Sequence, residues 1–561
     1  MRGLWRRAAL GGTGLVAVAL VAGGAALAPH VLPDPEAARS DGAAHRTSTV
    51  DVAPGDRMLV CPAPARLTDP DSGGDAQFRA SPVPTTSQLG ALALASGAGT
   101  LRALDGTKTG DLAAAPGGDG ASVLRQGSPL PGGLALRATA PDDGADRLAA
   151  AVSSTTSSGD LRGLVAASCQ TPGTITWLAG GDTKVGSSTQ LVLQNPGLTP
   201  ATVSVRAWGP DGELPLASSA SLVVPAGKEV VRLLEAAAPG VDRLVVKVKA
   251  SGGLVGAYLQ HSTLSGIVPQ GVDDVVAGSA PARHLALAGV VGRGEAISDA
   301  RAPVLRLLAP SHAAKATVSL WGPSGRVHLR GAEQVALDAG QVVDVPLGGL
   351  PAGTYTVSVD ADQGVVAGVV EQRPGTTGAA GQPSPADART PWDRAWVPAQ
   401  AVPDAEAAAS GGGSIGAGPV DAGEVALPRG TADAVVLSAL PADRSADAKA
   451  TGSVKATVRL FDATGAQVAS RATTVEAAKT AVLDLAALAP GKDLAGVAVD
   501  AVTPSGGAAL AWGVVASVGA PSSGVPAGGA NGQLVSVLAP VASVRSGGTV
   551  TAQEDPTLGL P

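Results

Sequence analysis

The clearest pattern in the chain is an alternation of apolar and polar residues that runs into a glycine-containing turn. It occurs three times, in the segments TVSVRAWGPDG (202–212), TVSLWGPSG (317–325) and TVRLFDATG (457–465). In the first segment Val203 and Val205 fall on one face, while Ser204 and Arg206 fall on the other. A period of two is typical of a strand with one buried face, and Gly-Pro-x-Gly sequences favour tight turns. The pattern therefore predicts three copies of a strand followed by a hairpin turn.

Each copy closes with a second pair of apolar runs around a turn, at 243–260, 354–372 and 494–517. Five to seven short strands in roughly 90 residues are typical of an antiparallel sandwich. The sequence thus predicts an all-β chain of tandem immunoglobulin-like β-sandwich modules, after an N-terminal transmembrane or signal helix. Because no Trp lies between a Cys pair in the immunoglobulin manner, the prediction concerns the architecture alone.

The same patterns predict the order of the segments. Residues 1–33 form a signal anchor or signal peptide, and 34–50 form a stalk linker. A disulfide-bearing β region follows at 51–180 and is partly irregular, with weak patterning between 69 and 120. Sandwich modules are expected at 181–275, 280–374 and 433–545. A linker rich in Gly, Ala, Ser and Pro separates the last two at 375–432, and 546–561 form a loose tail.

The N-terminus has the features of an export segment. Three arginines, Arg2, Arg6 and Arg7, precede an uncharged stretch at 8–33. This stretch exceeds the roughly 20 residues that span a bilayer. A buried helix of a soluble domain is the alternative, and cleavage after Ala28 would give a secreted protein. Pro29 disfavours cleavage, so we expect a single-pass cell-membrane protein whose C-terminal part is extracytoplasmic.

Two cysteines are present, Cys61 and Cys169. In an exported chain an even number of cysteines predicts a disulfide. Free thiols or a metal site are the alternatives, but neither cysteine has a His or acidic partner at short spacing. We therefore predict a Cys61–Cys169 disulfide.

Composition limits the class of function. Hydrophobic residues make up 45% of the chain but aromatic residues only 2%, so the cores must be built from Val, Leu and Ala. The net charge is −7, and no basic block lies outside the N-terminus. The electrostatic pattern of a nucleic-acid-binding protein is therefore missing.

The search for catalytic motifs predicts that the chain is not an enzyme and uses no cofactor or metal. The six histidines show no metal-ligand spacing, and no Gly-x-Ser-x-Gly lies between a strand and a helix. Two carboxylate pairs are candidates for glycoside hydrolysis, Asp273 with Asp274 and Glu371 with Asp360. We expect the first pair in a solvated loop and the second on exposed strand faces.

Tryptophans supply the remaining candidates for binding. Trp208 and Trp321 lie on the face opposite the aliphatic residues of their strands. We expect them to pack against a neighbouring module or to cover a sheet edge, and a surface platform for sugar rings is the alternative. Trp392 and Trp396, in PWDRAWVP, are expected to pin the start of the linker onto a domain.

Three segments carry a family resemblance: LVCPAP (59–64), ASCQTPGTITWLAGG (167–181) and LVLQNPGLTPATVSVRAWGPDG (191–212). With them the chain resembles a family of exported actinobacterial proteins known as domain of unknown function family 5719. The resemblance implies a secreted or membrane-tethered β protein and implies no activity, ligand or catalytic residue.

Together these observations predict a non-enzymatic cell-envelope protein whose modules form a rod or platform for envelope-protein partners. A cell-wall carbohydrate-binding protein is the alternative, and a glycan hydrolase ranks behind both. Membrane contact is expected through the N-terminal helix, and no nucleic-acid partner is expected.

Overall fold

The computed structural model describes residues 47–52, 55–67, 85–115, 119–139, 145–329, 331, 333–375, 390–403, 422–444, 450–521, 532–542, 544–545 and 548–553. The protein is all-β, with several sheets and two short α-helices in the described part, which confirms the predicted class. No helix in these ranges is long and apolar enough to cross a membrane. The predicted export segment at 1–33 lies outside them.

The chain divides into two units, of which the smaller contains both ends of the described chain. It consists of β1 (Thr47–Val52) and β37 (Gly548–Gln553), which pair antiparallel with Val50 opposite Val550. The predicted stalk at 34–50 and loose tail at 546–561 are therefore wrong where these strands run.

The larger unit, 54–546, contains four modules, two of them in its first half. Module 1 (57–169) contains β2 (Arg57–Cys61), β3 (Thr86–Ala95), β4 (Gly99–Ala103), β5 (Lys108–Leu112), β6 (Ser122–Gly127), β7 (Leu134–Ala138), β8 (Ala145–Thr156) and β9 (Gly163–Ser168). Module 2 (175–275) contains β10 (Ile175–Ala179), β11 (Ser187–Gln194), β12 (Ala201–Gly209), β13 (Gly212–Glu213), β14 (Ser221–Val224), β15 (Glu229–Leu233), α1 (Leu234–Ala237), β16 (Val245–Ser251), β17 (Gly256–Ser265) and β18 (Val268–Val275).

The second half repeats this plan. Module 3 (282–401) contains β19 (Ala282–Gly292), β20 (Val304–Leu308), β21 (Ala314–Gly322), β22 (Gly325–Val327), β23 (Gln334–Leu337), β24 (Val342–Pro346), β25 (Gly353–Pro374), β26 (Trp392–Pro398) and β27 (Gln400–Ala401). Module 4 (424–541) contains β28 (Glu424–Ala426), β29 (Ala432–Leu440), β30 (Ser453–Asp462), β31 (Gln467–Glu476), β32 (Lys479–Asp484), α2 (Leu485–Leu488), β33 (Leu494–Ser505), β34 (Ala509–Pro521) and β35 (Gly532–Leu538). A last strand, β36 (Val544–Arg545), pairs with β8.

Each module has an outer and an inner antiparallel sheet. In module 2 the outer sheet has the order β10-β16-β12 with β13 and β14 beyond, and the inner sheet has the order β15-β11-β17-β18. Module 1 repeats it as β2-β7-β4-β5 and β6-β3-β8-β9, and module 4 as β28-β33-β30-β31 and β32-β29-β34-β35. In module 3 the long strand β25 serves both sheets, pairing with β21 in its first half and with β26 in its second.

Apolar side chains between the two sheets form the core of each module. In module 2, Val203 and Val205 of β12 face Leu191 and Leu193 of β11 within one buried cluster. The alternation along β12 is that of a strand with one buried face, as predicted, whereas β11 is buried on both faces over Leu191–Gln194. Inner strands are doubly buried because neighbouring modules cover their second face.

The segment 51–180 was predicted as a β region that is irregular in part, with the order of 69–120 left open. Strands β3, β4 and β5 lie within 69–120 and build module 1; residues 68–84 lie outside the described part. The predicted linker at 375–432 contains β26 and β28, which complete modules 3 and 4. Its segments 376–389 and 404–421, including the Gly-rich stretch, are not among the described residues.

The modules meet through the last strand of each inner sheet. β9 contacts β18, β18 contacts β26, β26 contacts β35, and β35 contacts β9. Module 4 thus returns to module 1, so these modules do not form a linear rod. The sequence suggested a rod or a platform, and the platform stays a prediction.

Candidate functional site

Buried carboxylates hold the four edge strands together. Asp393 on β26 accepts hydrogen bonds through Oδ2 from the backbone N–H of Val535 on β35 (2.8 Å) and of Leu164 on β9 (3.3 Å). Asp273 on β18 accepts from the N–H of Trp396 (2.7 Å) and from Ser536 Oγ (2.9 Å). Edge strands leave backbone N–H groups unpaired, and these two side chains supply the acceptors that such groups need when buried.

Burial also changes the protonation of these carboxyls. It raises the pKa of Asp393 to about 7, although the Arg162 guanidinium and the backbone N–H groups act in the opposite direction. Burial likewise holds the pKa of Asp273 well above its usual range. The junction therefore contains acids that release their protons only at or above neutral pH.

Next to the junction lies a buried histidine whose tautomer follows from its neighbours. Nδ1 of His261 lies 3.1 Å from Arg394 Nη1 and 3.3 Å from Trp396 Nε1. Guanidinium and indole nitrogens only donate hydrogen bonds, so Nδ1 must accept and the ring must be neutral with its proton on Nε2. That nitrogen lies 3.3 Å from Asp182 Oδ2. Burial, followed by the nearby Arg394 charge, lowers the pKa of His261 to about 4.

Modules 2 and 3 line an open cleft of about 610 Å³, which we name the Arg301 cleft. Asp182, Arg394 and Trp396, which contact His261, are among the residues that line it. Its walls come from the 182–187 loop, the end of β17 with the turn that follows, the segment leading into β20, and strands β20, β24, β25 and β26. Charged side chains of both signs line it: Lys184, Arg301, Arg306 and Arg394, with Asp182, Asp242 and Asp344. The cleft is therefore polar and suited to a hydrophilic molecule.

The candidate carboxylate pairs do not form shared sites. Asp273 and Asp274 are buried on β18 rather than in a solvated loop, and as neighbours on a strand they point to opposite faces. Glu371 is also buried, contrary to expectation, and accepts from the N–H of Val291 at 2.6 Å. Asp360 lies in the outer-sheet half of β25, away from the inner-sheet half that carries Glu371.

The predicted surface platform of Trp208 and Trp321 is wrong, because each side chain is only 2% exposed. Trp208 stacks on Trp177 with ring centroids 5.4 Å apart, in a cluster that includes side chains of module 3. Trp321 packs in a cluster with residues of module 4 and donates to Ser358 Oγ at 2.9 Å. Both cover contacts between modules, which is the arrangement that the sequence favoured over a surface platform.

The disulfide between Cys61 and Cys169 is present as predicted and joins the two ends of module 1. Within the described ranges, no cluster of three or more His, Cys, Asp or Glu side chains could hold a metal ion. The sequence search missed the Arg301 cleft entirely. Its one available signal was PWDRAWVP, where a charged pair stands between two tryptophans, which is unusual for a linker.

Comparison with solved structures finds distant similarity to the following three. A GH78 family rhamnosidase of Bacillus sp. GL1 is 9% identical with a TM-score of 0.12, over 90% of this chain and 55% of the rhamnosidase. The Streptomyces avermitilis α-L-rhamnosidase complexed with L-rhamnose is 11% identical with a TM-score of 0.10, over 90% and 57% of the two chains. The infectious bursal disease virus Gt strain structure is 12% identical with a TM-score of 0.09, over 69% of this chain and 87% of the viral chain. The chain therefore spans little more than half the length of either rhamnosidase.

Comparison with curated proteins finds no match. Comparison with family models finds one described as "Family of unknown function (DUF5719)", over residues 123–486. This range covers well over half of the chain and includes the segments 167–181 and 191–212, but not 59–64. The chain belongs to the DUF5719 family.

Proposed function

We propose that this protein is a non-enzymatic scaffold of the cell envelope, held at the membrane by its N-terminal segment with modules 1–4 outside the cytoplasm. The modules are immunoglobulin-like β-sandwiches in this proposal. In support, the third and sixth strands of modules 1 and 4 pair in one sheet, and the second and fifth pair in the other, as in immunoglobulin domains. Modules 2 and 3 keep these pairings as β12–β16 with β11–β15 and β21–β25 with β20–β24, with two short strands after the third where modules 1 and 4 have one. The first and last strands depart from that plan.

One observation carries the scaffold proposal: the junction uses buried ionisable side chains to join edge strands of different modules. The single side chain of Asp393 connects β26 both to β35 and to β9 through hydrogen bonds. Buried carboxylates are costly unless they receive hydrogen bonds, and these receive them from backbone groups of other modules. Such an arrangement favours a rigid body with a fixed outer surface.

The outer sheet of module 2 offers a surface for a protein partner. Leu198 is 97% exposed and Leu254 is 51% exposed, and their turns are joined by a hydrogen bond from Thr199 Oγ1 to the carbonyl of Gly252 (3.2 Å). Ile175, on the adjoining edge strand β10, is also exposed. Exposed apolar side chains gathered at one end of a module are typical of protein contacts.

The proposal is tested by placing a photo-crosslinking amino acid at position 198 or 254 in intact cells that make the protein. The matched control carries the same amino acid at Val482, an exposed apolar position in module 4. We expect one defined envelope protein to be captured from 198 and 254 but not from 482. Its capture from 254 should be lost when Leu198→Glu is also introduced.

Three outcomes would contradict the scaffold proposal or redirect it. Capture of the same proteins from all three positions would mean that the module 2 surface has no specific partner. Absence of any captured protein would remove the scaffold proposal. Recovery of wall glycan without protein would favour the carbohydrate-binding alternative, now without support from Trp208 and Trp321.

A further inference from the structure

The Arg301 cleft carries an excess of positive charge in an acidic protein. Four cationic side chains and three carboxylates line it, whereas the whole chain has a net charge of −7. A local excess of the opposite sign raises the concentration of anionic molecules at a cleft.

Most of these cations have an acidic neighbour. Arg306 forms a two-point pair with Asp344, at 2.9 and 3.0 Å. Lys184, at the rim, lies 4.0 Å from Asp242. Arg394 is stabilised electrostatically by Asp182, across the histidine that separates them. These three cations are therefore largely neutralised by the protein itself.

Arg301 differs from the other three. Its Nη1 donates to Gln372 Oε1 and its Nη2 to Gln270 Oε1, both at 2.6 Å, and no carboxylate within the described residues accepts a hydrogen bond from this guanidinium. Its Cζ lies 4.6 Å from the centroid of the Trp392 ring. Neutral groups thus fix the orientation of the guanidinium. The Asp299 carboxylate, which accepts from the Arg301 backbone N–H at 2.8 Å, offsets part of its charge without a hydrogen bond to the guanidinium, and the nearby Arg293 adds positive charge.

A guanidinium has five N–H donors, so Arg301 keeps donors beyond those given to the two glutamines. Its side chain is partly buried, and burial lowers its pKa. A partly desolvated cation gains most from a hydrogen-bonded anion, since charge-assisted hydrogen bonds are strong and guanidinium geometry fits carboxylate and phosphate.

We infer that the Arg301 cleft binds a small hydroxyl-bearing organic anion, a carboxylate or a phosphate monoester, with the anionic group on the Arg301 guanidinium. The hydroxyls of Thr263 and Ser265 at the end of β17, and the carboxylates of Asp182 and Asp344, provide partners for the remaining polar groups of such a molecule. This site is independent of the proposed scaffold surface on module 2.

Isothermal titration calorimetry on the full chain tests the inference with three probes: glucuronate, glucose 1-phosphate and uncharged glucose. We expect one or both anions to bind and glucose to bind at least tenfold more weakly. Arg301→Gln should weaken anion binding about 10- to 100-fold, the range that a lost charge-assisted hydrogen bond represents. The matched control is Arg232→Gln, an exposed arginine on β15 that loses the same charge and should bind as the wild type does.

A second variant keeps the test decisive if Arg301→Gln folds poorly. Gln372→Glu places a carboxylate next to Arg301 and supplies internally the charge that the ligand would bring. We expect it to lose anion binding and to unfold at the same or a higher temperature than the wild type. The inference is overturned if neither anion binds at millimolar concentration, if glucose binds as well as they do, or if Gln372→Glu binds them like the wild type.

Discussion

The hydrogen bonds of Asp393 make a quantitative prediction about what joins the modules. Asp393→Ala would remove the acceptor of two buried N–H groups, those of Val535 and Leu164. Each buried donor left unpaired costs about 1–3 kcal/mol, and the cavity adds to this, so the loss should be about 3–6 kcal/mol. Asp393→Asn keeps a carbonyl oxygen at this position and should lose less.

The pH dependence of the same residue gives an independent check. Since burial raises the pKa of Asp393 to about 7, the folded state keeps a proton that the unfolded state releases near pH 4. The contribution of Asp393 to the free energy of unfolding is therefore largest below about pH 4 and falls as pH rises to about 7. Three pH units correspond to about 4 kcal/mol, of which about 2–3 kcal/mol falls between pH 5 and pH 7.

Urea unfolding followed by tryptophan fluorescence, at a series of pH values from about 5 to 8, measures both quantities. Other buried acids with a raised pKa, such as Glu371 and Glu424, add the same slope to every variant. The difference between wild type and Asp393→Asn therefore isolates Asp393, and it should shift by about 2–3 kcal/mol in favour of the variant as pH rises from 5 to 7. Parallel pH curves for the two proteins would refute the assigned protonation, and equal stability of Asp393→Ala and Asp393→Asn would refute the role of its hydrogen bonds.

Three further substitutions test the junction, module 1 and the contact between modules 2 and 3. Gly271→Ala should destabilise by several kcal/mol more than Gly266→Ala. Both glycines have positive φ, but only at 271 would an added Cβ meet backbone atoms, at 2.6 Å from Arg394 N. Equal midpoints of urea unfolding for the two variants would contradict this. Replacing Cys61 and Cys169 with Ala should cost about 4–5 kcal/mol in the chain-entropy model for a loop of 108 residues; an unchanged midpoint in non-reducing urea would show that the loop is already ordered without the bond. Trp208→Ala should cost about 3–5 kcal/mol and increase proteolysis at the contact between modules 2 and 3; loss of stability without new cleavage sites would place its effect inside module 2.

The sequence correctly predicted strands that have one buried and one more polar face. In β12, β21 and β30 the residues alternate with a period of two and a turn follows, and all three are equivalent strands of outer sheets. The equivalent strand of module 1, β4, was not predicted as a fourth copy. Its Leu101, Ala103 and Asp105-Gly106 turn follow the same pattern, but with smaller side chains and no aromatic residue. Small apolar residues in a Gly-rich region gave too little contrast to reveal it.

The candidate sites were harder to predict because they depend on packing between modules. Asp273 and Asp274 have the composition of a surface loop, and no local pattern indicates that two other modules cover their strand. Trp208 and Trp321 lie on the solvent side of an isolated module, so the alternation assigned their face correctly but could not show the neighbour that covers it. Arg301 and Gln270 come from separate modules, and only the assembled junction brings them within hydrogen-bonding distance.

The return of β35 to β9 has a consequence for how such a chain can change its length. Solenoid-type repeats contact only their neighbours, so gene duplication can lengthen or shorten them without disturbing the rest. Here the loss or gain of one module would separate β35 from β9 and expose two edge strands to self-association. This closed set of contacts among the described strands therefore favours a constant number of modules, unlike a solenoid.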